Sequence, residues 1–337
     1  DAPLLIGYGE DGNYIASDVT ALLAHTRTVT YTADDEVAVI TADDVQIFDR
    51  DRFQLEKEKH EIEWDVSAAE KGGYAHFMLK EIMEQPEAVR KTISPRLADG
   101  EIVLEELRDA KELMKNISRI YIVACGSAYH VGMVGKYALE KMMHIPVEAC
   151  LASEFRYSEP ILGESSLVII ISQSGETLDS MAALREAKRR GSKVLSIVNV
   201  MGSSIARESD YVLYTWAGPE IAVATTKAYT TQMVLLLMFG VYLAKQLDRM
   251  EQEEYMAVTR GLQELPEKIS IVLSDIDHYQ KVASRYFNHN SVFYIGRNLD
   301  YALGLEGSLK LKEISYIHSE SYAAGELKHG TISLIEP

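Results

Sequence analysis

Two hydrophobic periods divide the chain. From Leu4 to about residue 66, short β-rich runs recur (LLIGYG, TVTYT, EVAVIT, VQIFD), separated by turn residues such as Ala33-Asp34-Asp35 and Ala42-Asp43-Asp44. The pattern predicts four or five short strands, too small a sheet to stand as a domain alone. Near Lys71-Gly72-Gly73 the apolar spacing becomes helical, through Phe77, Met78 and Ile82. Pro86 then sits where the first turn of a new helix tolerates it, and a further helix is predicted over 104–117. After that, strands and helices alternate. RIYIVA, PVEACLA, SLVIII, KVLSIVNV and YVLYTW read as strands, and 127–143, 176–190, 203–208 and 225–247 as helices. Near-continuous apolar strands between amphipathic helices predict an α/β fold with a doubly wound parallel sheet sandwiched by helices. In such sheets ligands sit beyond the carboxyl ends of the strands.

Helices over 252–273 and 275–287 follow, and then SVFYIG starts the pattern again. IYIVACG and VFYIGR each precede a helix; Glu154 lies 28 residues after Gly126, and Glu326 lies 30 after Gly296. We read a weak internal repeat with a period of about 170 residues. In the second copy TISLIE is expected to begin the strand that leads, in the first copy, to Ser172. The chain opens on Asp1 and stops at Ile335-Glu336-Pro337, so the second unit is expected to be cut short. The expected domains are 1–68, 69–280 and 281–337.

Composition narrows the function. The 337 residues are 47% hydrophobic and 25% charged, an ordinary globular balance with room for about two domains. The formal net charge is −17, which disfavours nucleic acid and anionic membranes as partners. Any anionic ligand must therefore be bound by local donors against the global field. The two cysteines, Cys125 and Cys150, have no metal-type spacing and suit a reducing cytoplasm. No signal peptide is expected from the opening residues, and the most apolar window, MVLLLMFGVYLA over 233–244, is too short to cross a bilayer and reads as a core helix. No cofactor or metal site is expected.

Two clusters carry chemistry. Ser172-Gln173-Ser174-Gly175-Glu176-Thr177 follows a five-residue apolar strand and precedes a helix. Hydroxyls at the strand end and free N–H groups of the first helical turn suit a phosphate, and Gly175 lets the backbone approach it. The competing reading is a plain helix cap at Ser174. The loop has neither the P-loop nor the dinucleotide glycine pattern. Ser127, after Cys125-Gly126, occupies a similar turn and offers a second donor; Cys125 itself reads as a packed thiol. AGPEIAVATTK, over 217–227, is either a substrate loop or only a cap. Further on, Glu306, Lys310 and Glu313 fall at helical spacings of four and three, followed by His318, Glu320, Glu326, Lys328 and His329. Such runs usually mean a solvated face, but small and apolar neighbours (Gly307, Ser308, Leu309, Leu311, Ile314) predict a largely packed helix. Proton transfer beside a carbonyl needs a carboxylate base and a nearby cation, which Glu313 and Lys310 could supply, and sugar ring opening needs a further acid–base group such as histidine.

Together ACGSAYHVG, ASEFRY, SQSGET, GPEIAVATTKAYTTQ and LEGSLKLKEISYIHSESYAAGELKHG resemble the sugar-isomerase half of the glucosamine-6-phosphate synthase family, the glutamine–fructose-6-phosphate aminotransferases. SQSGET alone marks the wider sugar isomerase (SIS) superfamily; KLKEISYIHSE followed by AGELKHG is more specific. The resemblance implies two SIS-type subdomains, the second incomplete, after the end of a glutaminase (Ntn-type) domain matched by IGYGEDGNYIASD. It implies synthesis of glucosamine 6-phosphate from fructose 6-phosphate and glutamine-derived ammonia. Ser127, Ser172, Gln173, Ser174 and Thr177 match phosphate contacts, and Val223 and Thr225 match a loop lining the sugar. Glu313 matches the base shuttling a proton between C1 and C2, Lys310 the assisting lysine, and His329 the ring-opening histidine donated across a homodimer interface. Where the family often has Thr-Ser, this chain has Ser127-Ala128, so the loop at Ser172 is expected to carry more of the phosphate. Alternatives within reach are a fructosamine-phosphate deglycase and a non-catalytic sugar-phosphate sensor. The family's N-terminal cysteine nucleophile, most of the second sheet and the C-terminal tail with its substrate-contacting lysine are not in the chain. The chain alone is therefore expected to make no ammonia from glutamine. A glutamate-release assay on the purified chain checks this, and glutamate formed above background would refute it.

Overall fold

The computed structural model describes residues 4–17, 19–33, 35–62, 71–110 and 114–335. Its centre is a five-stranded parallel sheet of β10 (Arg119–Ala124), β11 (Val147–Leu151), β12 (Ser166–Ser172), β13 (Lys193–Val198) and β14 (Tyr211–Tyr214), in the order β11-β10-β12-β13-β14. Every residue of β12 is buried, whereas the edge strand β11 buries only Val147 fully. The side-chain period of two sorts the strands onto two cores. Ile120, Ile122, Leu167, Ile169, Ile171, Leu195 and Ile197 join one cluster; Tyr121, Val123, Val168, Ile170, Val194 and Val198 join the other.

Helices cover both faces. The α1 (Phe77–Met83) and α2 (Gln85–Ile93) helices precede the sheet, and Pro86 stands in the first turn of α2 as its sequence predicts. On one face lie α2, α3 (Gly126–Met143), α7 (Lys227–Gln246) and α8 (Gln252–Leu273); on the other lie α4 (Ala152–Phe155), α5 (Leu178–Arg189) and α6 (Ser204–Glu208). Among the described residues α7 is the one helix long and apolar enough to cross a membrane, yet it is mostly buried inside the fold. Leu139 of α3 packs against Gly240 of α7, where an added Cβ would lie 2.9 Å from the leucine.

A second βαβ unit confirms the repeat. β15 (Ser291–Gly296) pairs in parallel with β16 (His318–Ala323) across α10 (Leu299–Ser315), as β10 pairs with β11 across α3. Before it, α9 (Ile276–Tyr286) buries none of its residues. TISLIE does not begin a strand: Thr331–Leu334 is a 3-10 turn. Nor is α10 packed along its whole length, since 312–315 are exposed.

The predicted helix over 104–117 is also revised. Residues 111–113 lie outside the description, but Glu105–Ala110 is a 3-10 helix. The reason lies in spacing, because Leu104, Leu107 and Ala110 are all buried and recur every third residue, the 3-10 period.

The N-terminal strands form two antiparallel sheets rather than one. The first has the order β2-β1-β3-β7: β1 (Leu5–Gly9), β2 (Gly12–Ala16), β3 (Thr28–Tyr31) and β7 (His60–Glu61). The second joins β4 (Val37–Ile40), β5 (Val45–Phe48) and β6 (Gln54–Leu55). β2 escaped the sequence reading because its five residues, GNYIA, alternate only weakly. A small hairpin, β8 (Leu97–Ala98) and β9 (Glu101–Ile102), completes the strands. The expected boundary at 68/69 falls outside the described residues.

The α3–α7 crossing yields a stability prediction. Leu139→Ala is expected to cost about 2–5 kcal/mol, the range for deleting a buried leucine. Urea unfolding would show a lower midpoint with an unchanged slope; a midpoint matching the parent would mean that the crossing is not tightly packed.

Candidate functional site

The strand order reverses between β10 and β12, since the chain steps from β10 to β11 on one side and to β12 on the other. At such a switch point the two connections leave a crevice beyond the carboxyl ends. Cys125-Gly126-Ser127 emerges from β10 and Ser172–Thr177 from β12. Gly175 has φ +69, and a Cβ there would lie 2.0 Å from Ser203 Oγ, so only glycine suits both backbone and space. Ser172 Oγ accepts from the Gly175 N–H at 3.0 Å and lies 3.0 Å from Thr177 Oγ1. Ser174 Oγ accepts from the Glu176 N–H at 3.2 Å. Below the loop, the Asn199 N–H donates to Gln173 O and the Ile205 N–H to Gly175 O, at 3.1 and 2.9 Å. Glu176 Oε1 accepts from the Ser204 N–H at 2.8 Å.

The cap reading of this turn does not survive. The residue before α5 is Thr177, not Ser174, and no side chain caps the helix. Its first-turn N–H groups stay available to a ligand.

A second wall is the 217–226 loop, held by buried side chains. Glu81 of α1 accepts from the N–H groups of Ile221 and Ala222 at 2.6 and 3.1 Å. Burial raises its affinity for a proton, while those backbone N–H groups pull the other way. Asn199 accepts from Ala217 N–H and donates to Gly218 O, at 2.9 and 2.7 Å. Glu220 Oε1 accepts from Thr226 and Ala228 N–H at 2.8 and 3.1 Å, and its other oxygen accepts from the Thr225 hydroxyl. The cap of α7 is thus Glu220, which leaves Thr225 on the cavity side. Val223 is fully exposed at the loop tip.

The third wall comes from α10. Lys310 pairs with Glu313 and lies 3.6 Å from Glu306 Oε1. These walls enclose a cavity of about 310 Å³. It is lined by Ser127, Ser172, Gln173, Ser174, Thr177, Val223, Thr225, Lys310 and Glu313, so it gathers every residue matched to the phosphate, the sugar or the proton transfer except His329, while Glu306, His318, Glu320, Glu326 and Lys328 do not line it. His329 lies exposed in the 3-10 turn Leu327–His329, outside this cavity. Cys125 lines the cavity too, but burial pushes its thiol up, away from the thiolate a nucleophile needs.

Sequence reasoning missed Glu220 and Gln232, which also line the cavity, and Glu81 behind the loop. Gln232 carried a signal, a polar residue entering the apolar run of α7. Glu81 carried none, because its partners are backbone groups 140 residues away.

Comparison with known proteins identifies the family and the fold. The sequence pattern of the SIS domain family matches residues 113–242 and 285–337. Over 337 residues the chain is 53% identical to the glutamine–fructose-6-phosphate aminotransferase [isomerizing] of Clostridium acetobutylicum, covering 100% of this chain and 55% of that protein. The protein of the same name from Methanosarcina acetivorans is 45% identical, again with 100% and 55% covered. The chain thus spans about half the length of the curated relatives it matches. The solved C-terminal domain of glucosamine-fructose-6-phosphate aminotransferase from Francisella tularensis superposes with a TM-score of 0.77 at 43% identity, over 79% of this chain and 75% of that one. The glucosamine-6-phosphate deaminase of Thermotoga maritima shares the fold, with a TM-score of 0.59 at 23% identity over 77% of this chain and 74% of that one.

The geometry at Gly175 can be tested directly. An alanine there faces a left-handed backbone that costs about 1–2 kcal/mol, besides the clash with Ser203. Gly175→Ala is expected to weaken sugar-phosphate binding about tenfold or more in calorimetric titration, since each 1.4 kcal/mol is a factor of ten. Unchanged affinity would dismiss the loop as the phosphate seat.

Proposed function

The chain belongs to the SIS domain family, and from that premise we propose that it is the sugar-isomerising part of a glutamine–fructose-6-phosphate aminotransferase. The observation that carries this reading is a single cavity in which the Lys310/Glu313 pair of α10 faces the serine loop after β12. A bare sensor needs the loop but not the pair. In this reading Ser127, Ser172, Gln173, Ser174 and Thr177 hold the phosphate of fructose 6-phosphate, helped by the N–H groups of the helices that start there. Val223 and Thr225 line the sugar.

The chemistry follows from the kinds of groups that meet in the cavity. Glu313 removes a proton at one carbon of the C1–C2 pair and returns it to the other. The electron pair passes through an enediolate, or its amine equivalent once ammonia has condensed at C2. Lys310 offsets the negative charge that develops on oxygen. Ring opening falls to His329. Because His329 lies outside its own chain's cavity, a partner protomer supplies it in a homodimer. Ammonia comes from glutamine at a separate glutaminase site, to whose domain residues 1–68 contribute, while 69–280 and 281–337 form the first and second SIS units. The product is glucosamine 6-phosphate, and the setting is cytoplasmic.

The test is the isomerisation of fructose 6-phosphate, with ammonia-dependent formation of glucosamine 6-phosphate measured alongside. Glu313→Gln is expected to lose at least about 100-fold in rate, typical of removing a general base, with sugar-phosphate affinity nearly unchanged. A variant as fast as the parent would strip Glu313 of its role.

A further inference from the structure

Behind the cavity wall stands a second carboxylate that the proposed mechanism does not use. Helices α3 and α10 pack against each other, and His130 and Glu306 meet in their contact. From α3 comes His130, one turn beyond Ser127; from α10 comes Glu306, one turn before Lys310. His130 Nδ1 lies 2.7 Å from Glu306 Oε2, and the two side chains are only 14% and 8% exposed. Glu306 Oε1 is buried without a hydrogen-bond partner among the described residues. Its neighbour is the Lys310 ammonium at 3.6 Å, within ion-pair reach but short of a hydrogen bond. Lys310 is meanwhile bonded to Glu313, whose side chain is 34% exposed. One ammonium therefore stands between two carboxylates, one facing the cavity and one buried with an oxygen left open.

A buried acceptor without a partner is costly. The open oxygen fits a group needed at only one stage of a cycle. We propose that His130 and Glu306 are positioning residues for Lys310: they hold an anionic landing site to which the ammonium turns when Glu313 has taken up the substrate proton. On accepting that proton Glu313 becomes neutral, and its attraction for Lys310 falls away. Glu306, still anionic and fixed by His130, keeps the ammonium beside the substrate oxygen while the electron pair of the broken C–H bond sits in the enediolate. Return of the proton to the neighbouring carbon restores the Glu313 anion and draws Lys310 back. No proton or electron is lost over the cycle. The inference rests on the reading of Glu313 as the base.

The experiment is a double-mutant cycle in the native protein carrying this chain, with fructose 6-phosphate to glucose 6-phosphate conversion as the readout. His130→Leu is expected to lower kcat about tenfold or more with KM within about threefold, the sign of an interaction made during chemistry. His130→Gln, which can still donate to Glu306, is expected to recover most of that loss. In a Lys310→Ala background His130→Leu should add less than about twofold, because nothing remains to be positioned. Equal losses in both backgrounds, a loss confined to KM, or a His130→Gln variant as slow as His130→Leu would each overturn the proposal. Should His130→Leu melt below the assay temperature, Glu306→Gln, of the same size, replaces it under the same criteria. An unmodified protein that binds the sugar phosphate but fails to isomerise it would instead overturn the reading of Glu313, and this inference with it.

Discussion

The structure depends on the complete burial of β12. A strand with all seven residues buried must be covered on both faces and paired on both edges. That requirement places helices above and below the sheet and sets strands on either side of β12. Polar chemistry is left with the strand end, where the backbone leaves the apolar layer. Ser172 closes the strand and opens the loop in the same residue. The cavity is thus the place to which the packing confines hydroxyl and N–H groups, rather than a feature added to a finished fold.

Much of this was legible in the sequence, and for physical reasons. The strands from RIYIVA to YVLYTW are short and apolar, the helices between them amphipathic, and both periods survive in the structure. The boundaries that slipped did so where a weaker rule prevailed. The 3-10 segment at Glu105–Ala110 hides in a stretch whose composition favours a helix, and only the three-residue spacing of Leu104, Leu107 and Ala110 betrays it. TISLIE reads as a strand by propensity, but it lies next to His329 in consecutive 3-10 turns.

The candidate site divides in the same way. Residues that offer their own side chains to a ligand, such as Ser174 or Glu313, stand out by type and spacing. Residues that hold a wall in place, such as Glu81 and Glu220, do not, because they bind backbone N–H groups whose identity leaves no trace in the sequence. His130 is an intermediate case. Its motif was read, but its partner Glu306 lies 176 positions away, and only the α3–α10 contact joins them.

The way Glu220 caps α7 has an electrostatic consequence. Its carboxylate neutralises the positive end of the longest helix bordering the cavity, bonding to N–H groups that would otherwise face inward. The helices that start beside Ser127 and Thr177 carry no such side-chain cap. The cavity is therefore polarised, with bare helix ends on the β10 and β12 side and a satisfied one on the side of the 217–226 loop. In a chain of formal net charge −17, that gradient gives an entering anion a preferred end. It orients a molecule with one charged terminus before any hydroxyl contact is made.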